Sequence, residues 1–179
     1  MFFNEAGLLP PRDYELTLNQ LRESILIRGP KNDKPWDIKW RLFLVDQLEA
    51  LVQQLWEVGI KKIYIDGSFV EEKAHPNDID GYFECDLMEL ASGELERKLN
   101  ALDPYKIWTW DSHSRKPYRG YTKRQLPMWH RYRVELYPHY GQPSGIFDEY
   151  GNQQQFPAAF RKTRDTFLPK GIVKIMELR

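Results

Sequence analysis

The sequence contains the stretch Ile65-Asp66-Gly67-Ser68-Phe69-Val70 and, after six intervening residues, Asn77-Asp78-Ile79-Asp80-Gly81-Tyr82-Phe83. A short apolar run ends in Gly-Ser, and a second apolar run, ten residues after Ser68, carries Asp78 and Asp80. Because side chains alternate between the two faces of a strand, both aspartates are predicted to point the same way. Two carboxylates on one strand face, beside a glycine turn that can approach a phosphate, are one way to build a Mg²⁺–nucleotide site.

The composition is that of a globular chain with balanced charge. The 179 residues suffice for one domain with a sound core, and 26 basic residues balance 26 acidic ones, so bulk charge indicates neither a nucleic-acid nor a membrane partner. The single cysteine, Cys85, excludes an internal disulfide and fits a reducing compartment. No apolar run approaches the roughly 20 residues that span a bilayer, and the N-terminus lacks the pattern of a secretion signal. We therefore expect a single cytoplasmic domain over residues 1–179.

Two helices are predicted in the first third of the chain. Residues 17–20 (Thr-Leu-Asn-Gln) are typical of a capping box that opens a helix to about Ile27. A loop over Gly29–Pro35 follows, with Pro35 suited to the first turn of the next helix and Gly59 suited to its end. The inward positions expected are Leu18, Leu21 and Ile25 in the first helix, and Leu42, Val45, Leu48, Leu51, Val52 and Leu55 in the second.

The rest of the chain alternates between strand and helix patterns. Strands are predicted over residues 62–66, 78–84, 107–110, 133–138 and 172–178, and a helix over 87–102. This order of elements predicts an α+β fold with a mixed β-sheet flanked by helices.

The spacing Gly-Ser, ten residues, Asp-apolar-Asp resembles the signature of the DNA polymerase β-like nucleotidyltransferase superfamily. The wider context over residues 66–81, Asp-Gly-Ser-Phe-Val-x-x-Lys-x-x-Pro-Asn-Asp-Ile-Asp-Gly, is similar to a group of small, largely uncharacterised bacterial and phage proteins in that superfamily. The opening residues 3–11 and the closing residues 170–175 are similar to that group too, whereas about 103–133 matches poorly and could be an insertion. The resemblance implies a minimal nucleotidyltransferase fold.

The resemblance also implies a catalytic acid set. Asp78 and Asp80 would hold two Mg²⁺ ions, with Mn²⁺ as a substitute, and a third carboxylate would come from a later strand. Glu135, flanked by Val134 and Leu136, is the best match for that third acid. The alternative is an exposed strand glutamate paired with Arg131 or Arg133. For Asp78 and Asp80 the alternative is ordinary turn chemistry after Pro76.

The turn and two lysines are candidate nucleotide-binding residues. In the superfamily the Gly-Ser turn holds the triphosphate, and here Gly67 and Ser68 occupy it; otherwise they end a strand. Lys73 and Lys170 lie in segments that match the group, and each could reach a phosphate as a point charge. The alternative for Lys73 is a solvated side chain among Glu71, Glu72 and His75.

Residues 114–133 form a basic segment with seven positive charges and no acid. Four aromatic residues, Tyr118, Tyr121, Trp129 and Tyr132, interleave with the cations. Basic residues with aromatics suit a nucleic-acid backbone and stacked bases, and the candidate contacts are Arg115, Lys116, Lys123 and Arg124. The alternative is a solvated loop whose aromatics belong to the core.

The expected function is transfer of a nucleoside monophosphate from a nucleoside triphosphate to an acceptor: RNA or tRNA, a protein side chain, or a small hydroxyl compound. Small members of the superfamily occur in toxin–antitoxin and phage-defence systems, so the resemblance is compatible with such a role. The alternative from another class is a catalytically inactive protein that keeps the fold and binds nucleotide or nucleic acid. An antibiotic-modifying adenylyltransferase is a third option, although those enzymes usually carry a second helical domain.

Overall fold

The structure, a computed structural model, describes residues 1–31 and 35–178, so the predicted loop over Gly29–Pro35 lies partly outside the described residues. Among the described residues, none of the helices combines the length and the apolarity needed to cross a membrane.

In chain order the elements are β1 (Asp13–Thr17), α1 (Leu18–Glu23), α2 (Ile25–Arg28), α3 (Ile38–Glu57), β2 (Ile63–Asp66), β3 (Ile79–Glu84), α4 (Leu87–Ala91), α5 (Glu94–Leu102), α6 (Pro127–Tyr132), β4 (Val134–His139), β5 (Pro143–Phe147), β6 (Gln153–Gln155), α7 (Phe156–Ala159) and β7 (Ile172–Met176).

A mixed five-stranded sheet, in the order β1-β7-β2-β3-β4, organises the fold. The pairs β1–β7 and β3–β4 are parallel, whereas β7–β2 and β2–β3 are antiparallel. Strands β5 and β6 form a separate two-stranded hairpin. The prediction of an α+β fold with a mixed sheet flanked by helices is therefore confirmed. Strand β7, the last of the chain, lies inside the sheet between β1 and β2.

One face of the sheet packs on α3 and the other helices in the main core. The long helix has a continuous buried stripe, as its apolar spacing predicts, and each fully buried leucine or valine stabilises the fold by about 1.5–3 kcal/mol. The sheet residues of this core are Ile63, Ile65, Ile79, Phe83, Val134, Leu136, Val173 and Ile175, and those of α3 are Leu44, Val45, Leu48, Leu51, Val52 and Leu55. Leu42 is half-buried and packs against this core.

The opposite face carries a row of three tyrosines on neighbouring strands. Tyr64 lies opposite Tyr82, and Tyr82 lies opposite Tyr137. The rings of Tyr64 and Tyr82 stack at 4.8 Å between centroids, and Phe156 of α7 stacks on Tyr137 at 5.4 Å. This aromatic layer supports the polar residues that follow on the same face.

Two predicted helices are each broken in two. The capping box of Thr17 and Gln20 is present, but Ser24 takes an extended conformation with ψ of 168° and its hydroxyl caps a second helix. The restart changes the helical phase, so Leu26 and Ile27 are buried and Ile25 is only half-buried. In the same way, the predicted helix over 87–102 breaks at Gly93, where φ is +76°.

Two other boundaries differ from the prediction. Helix α3 starts at Ile38, not near Pro35, because the Asp37 side chain accepts a hydrogen bond from the Trp40 N–H. The helix ends before Gly59, whose φ of +89° suits the predicted stop. Residues 107–110 do not form the predicted strand. The Asn100 side chain makes hydrogen bonds to both the N–H and the carbonyl of Trp108, and these replace the backbone hydrogen bonds that a neighbouring strand would make.

Candidate functional site

Three acidic residues form a row across the central strands. Asp66 at the end of β2 lies opposite Asp80 of β3, which lies opposite Glu135 of β4. All three share the sheet face of the tyrosine row, because each lies two residues from one of those tyrosines. Asp78, immediately before β3, adds a fourth carboxylate. The predicted acids Asp78, Asp80 and Glu135 thus come together, and Asp66 joins them without having been predicted.

The Gly67–Ser68 turn follows β2 directly and borders the acidic row. Gly67 has φ of +72°, and a Cβ there would lie 2.7 Å from Oδ2 of Asp80. Glycine is therefore required both by the backbone conformation and by the approach of the Asp80 carboxylate. The chain then makes one 3₁₀ turn over Gly67–Val70, in which Ser68 is half-buried.

Arg41 holds the segment after this turn in place. Its guanidinium is fully buried and donates hydrogen bonds to the carbonyl oxygens of Leu26, Phe69, Glu71 and Lys73. Burial lowers the pKa of Arg41 to about 9. Only its place on the buried face of α3 could have indicated this role from the sequence.

The acids carry a strong concentration of negative charge. Burial, and then the neighbouring Asp78 carboxylate, raises the pKa of Asp80 to about 7. Burial also raises the pKa of Asp78, partly offset by the hydrogen bond that Trp129 Nε1 donates to Asp78 Oδ2 at 2.6 Å. Buried carboxylates with raised pKa values bind a cation favourably. The positive charge offsets both the cost of burying the negative charges and the repulsion between them.

Asp66 is paired with a buried lysine. Lys170 is 4 % exposed, and its Nζ lies 3.1 Å from Asp66 Oδ1 and 2.6 Å from Glu71 Oε1. Burial raises the pKa of Asp66 to about 7 even though the Lys170 charge acts in the opposite direction. Lys170 therefore lies at the site, as predicted, but with two carboxylate partners. Lys73 is exposed and lines the same cleft.

Glu135 is fully buried, so the alternative of an exposed glutamate paired with Arg131 or Arg133 is wrong. Its carboxylate lies 3.4 Å from Arg115 and 3.3 Å from Lys123. It also accepts hydrogen bonds from the Leu126 N–H at 3.1 Å and from the Tyr137 hydroxyl.

Carboxylates suited to a hard divalent cation are present in the site, but Glu135 and Asp66 are already paired with side-chain cations. Asp78 and Asp80 offer carboxylate oxygens of the type that Mg²⁺ and Mn²⁺ prefer. Glu135 is held by Arg115 and Lys123. Within residues 1–31 and 35–178, accordingly, no three His, Cys, Asp or Glu side chains are arranged to bind a metal ion.

The basic segment divides into an inner and an outer pair of cations. The inner pair, Arg115 and Lys123, contacts Glu135 and lines the cleft, whereas the outer pair, Lys116 and Arg124, is exposed. Two of the interleaved aromatics, Trp129 and Tyr132, are buried, which favours the core alternative for both. Trp129 bonds Asp78, and the Tyr132 hydroxyl bonds Asp103 at 2.8 Å.

These groups open onto a cleft of about 700 Å³. Asp66 and Asp80 of the acidic row, the Gly67–Ser68 turn and the inner cations form one wall. Asp78 and the fully buried Glu135 do not line the cleft. The second wall comes from the β5–β6 hairpin, α7 and the loop up to Lys170, none of which was predicted to be part of the site. Its lining includes Ser144, Ile146, Phe147, Gln154, Phe156, Phe160, Lys162, Thr163, Arg164, Thr166 and Phe167.

Comparison with known proteins assigns the chain to a family. The family model of DUF6932, described as a family of unknown function, matches residues 1–176. No curated protein and no solved structure was found to match the chain. Because the match covers nearly the whole sequence, the chain belongs to the family DUF6932.

Proposed function

We propose that this protein is a nucleotidyltransferase. A hydroxyl acceptor attacks the α-phosphorus of a nucleoside triphosphate, the nucleoside monophosphate is transferred to the acceptor oxygen, and pyrophosphate leaves. The observation that carries the proposal is the approach of Asp80 to the Gly67 turn, with Asp78 beside it and Glu135 on the next strand. Acids beside a glycine turn, in a cleft that Lys73, Arg115 and Lys123 also line, suit a polyphosphate. The sequence resemblance to the polymerase β-like superfamily supports the same reading.

Asp78 and Asp80 are the residues that would hold a divalent cation, Mg²⁺ or Mn²⁺. Such an ion would neutralise phosphate charge and lower the pKa of an acceptor hydroxyl. Their raised pKa values support this role, because two neighbouring carboxylates that resist ionisation gain most from a bound cation.

The chain itself positions the nucleotide. The backbone N–H groups and the Ser68 hydroxyl of the turn are donors for phosphate oxygens, and Lys73 adds a point charge at the cleft. Arg41 keeps the turn rigid through its bonds to Phe69, Glu71 and Lys73, so little reorganisation is needed when phosphate arrives.

Glu135 becomes available by an exchange of partners. Arg115 and Lys123 contact Glu135 in this structure and line the cleft that would receive the triphosphate. A triphosphate attracts both cations more strongly than one carboxylate does. Once they turn to the phosphates, Glu135 keeps the hydrogen bonds from the Leu126 N–H and the Tyr137 hydroxyl, and its remaining lone pairs accept the proton of the attacking hydroxyl.

A label-transfer assay tests the proposal. Each of the four nucleoside triphosphates, labelled at the α-phosphate, is incubated with Mg²⁺ and one of total RNA, a protein extract or a small-metabolite fraction. We expect label to enter one fraction with the wild type and none with Asp80→Asn. The matched control is Asp46→Asn, a change in a carboxylate that is 61 % exposed on the outer side of α3. The fraction that gains label identifies the acceptor class.

A second candidate function is supported by the contacts of Glu135. If its ion pairs with Arg115 and Lys123 are permanent, the protein binds a nucleotide or nucleic acid without transferring it. Such a protein binds nucleoside triphosphates stoichiometrically and releases no pyrophosphate. The wild type and Glu135→Gln would then both lack transfer activity.

A further inference from the structure

We infer that the second wall of the cleft is a nucleobase subsite, with the ring of Phe167 as its stacking surface. The inference rests on the proposed function, because it takes a nucleotide as the ligand. The first wall offers carboxylates, a glycine turn and cations. The second offers four phenylalanines and Ile146 from the hairpin, α7 and the following loop, with the charged Asp148, Lys162, Arg164 and Asp165 among them. A ligand that fits both is anionic at one end and planar and apolar at the other, as a nucleotide is.

Phe167 is held in a conformation that an aromatic residue rarely adopts. Its φ is +54°, in the left-handed region that favours glycine. Three hydrogen bonds to Thr163 fix the loop: Thr163 N–H to the Leu168 carbonyl at 2.9 Å, Leu168 N–H to Thr163 Oγ1 at 2.9 Å, and Phe167 N–H to the Thr163 carbonyl at 3.2 Å. Strained residues that the surrounding structure holds in place are typical of ligand sites.

Phe147, at the end of β5, also lines this wall and is exposed, but it is not held at a positive φ. The remaining two phenylalanines of the wall are covered by other rings. Phe156 and Phe160 pack on the tyrosine row, with ring distances of 6.3 Å and 5.8 Å to Tyr82. Phe167 lines the cleft half-buried and, within the part of the chain that the structure describes, makes no ring-to-ring contact. Its ring is therefore available to a planar ligand, since base–aromatic stacking requires one uncovered face.

The loop that carries Phe167 is anchored to the acidic row. It runs within three residues into Lys170, whose ammonium binds Asp66 and Glu71. The stacking surface and the acids are thus fixed relative to each other, across a cleft of about 700 Å³. Sites for small molecules commonly measure about 300–1,000 Å³, so the space suits one nucleotide.

Calorimetric titration with Mg²⁺ present tests the inference. The ligands are ATP, GTP, CTP and UTP, and inorganic tripolyphosphate, which has the phosphates but no base. We expect Phe167→Ala to weaken the tightest nucleotide about 5- to 150-fold, which corresponds to the usual contribution of one stacked base. Tripolyphosphate affinity should stay within twofold. Phe167→Trp should retain nucleotide binding, and the control Leu168→Ala, at an exposed neighbour outside the cleft lining, should change neither affinity.

Phe167→Gly separates stacking from folding. Glycine relieves the positive φ, so the melting temperature should not fall while nucleotide affinity does. Equal losses for nucleotide and tripolyphosphate, or no loss for either, would overturn the subsite and leave the proposed function standing. Wild-type protein that binds neither ligand would overturn both.

Discussion

Asp80 lies directly opposite Glu135 in the parallel pair of β3 and β4. Neighbouring carboxylates on adjacent strands repel each other, and the Glu135 and Asp78 charges both raise the pKa of Asp80. Glu135 is neutralised by Arg115 and Lys123, whereas Asp80 has no cation in contact within the described residues. The arrangement weakens the fold where the proposed chemistry needs charge, as is common at functional sites.

Asp80→Asn should stabilise the protein at neutral pH. Because the pKa of Asp80 rises to about 7 in the folded protein, the folded state binds more protons than the unfolded state between about pH 4 and pH 7. The free energy of unfolding therefore falls as the pH rises through this window. Asparagine removes that titration. We expect the variant to be about 1–3 kcal/mol more stable than the wild type at pH 8, allowing for partial solvent screening, and equal to it near pH 4.

Urea denaturation with chelator at several pH values measures this difference. Glu57→Gln, at an exposed end of α3, is the control and should leave the pH profile unchanged. An Asp80→Asn variant that is less stable than the wild type at pH 8 would show that Asp80 is a structural residue.

Glu135→Gln should lower nucleotide transfer by at least about 100-fold, within the range for a lost general base. Glutamine can still accept the Leu126 N–H, but it leaves Arg115 and Lys123 without a carboxylate, so we also expect a loss of about 1–2 kcal/mol in stability. Tyr137→Phe is the comparison variant, since it removes the hydroxyl that bonds Glu135 and Arg115 but keeps the Glu135 carboxylate. Transfer assays and melting curves of both variants test this role of Glu135. Unchanged turnover in Glu135→Gln would assign the proton transfer to another group.

The inner and outer cations should differ in nucleotide binding. Arg115→Ala and Lys123→Ala each remove a charge from the cleft, and we expect each to weaken nucleotide affinity about tenfold. Lys116→Ala and Arg124→Ala remove the same charge from the exposed side of the same segment and should have little effect. Titration of the four variants under one buffer condition measures this contrast, and equal effects in all four would mean that only general electrostatics is involved.

The outer pair should determine any binding of RNA. If Lys116 and Arg124 contact phosphates, their double reversal to glutamate should abolish RNA binding and leave nucleotide affinity intact. Wild-type affinity should also fall steeply as salt rises, because each phosphate contact releases condensed counterions. Filter binding with tRNA and unstructured RNA over a range of salt measures both effects. An absence of binding even at low salt would leave a protein or a small hydroxyl compound as the acceptor.

Sequence patterns predicted the parts of the site that depend on local spacing. Asp78 and Asp80 are two residues apart on one strand, so their common face follows from the strand period alone. The position of Glu135 beside Asp80 came from the resemblance, since no local pattern fixes which distant strand pairs with β3. No local pattern assigns a role to Asp66, because its pairing with Asp80 depends on the register of two strands separated by a long connection.

The second wall was missed for a related reason. Strands β5 and β6 are short and polar, and the loop to Lys170 has no periodic pattern, so nothing local marks them as part of a cleft. The breaks at Ser24 and Gly93 were missed because a single capping serine or glycine interrupts an otherwise helical pattern. The burial of Arg41 could not be predicted from its place among the apolar residues of α3, because a charged residue on a helix is usually exposed.

The proposed function depends most on joint binding of a divalent cation and a nucleoside triphosphate at Asp78 and Asp80. Isothermal titration of the wild type and of the double variant Asp78→Asn/Asp80→Asn, with Mg²⁺ and with excess chelator, measures this binding. We expect the wild type to bind nucleotide at least about tenfold more tightly with Mg²⁺ than with chelator, and the double variant to show no such difference. Equal wild-type affinity in Mg²⁺ and in chelator would contradict it.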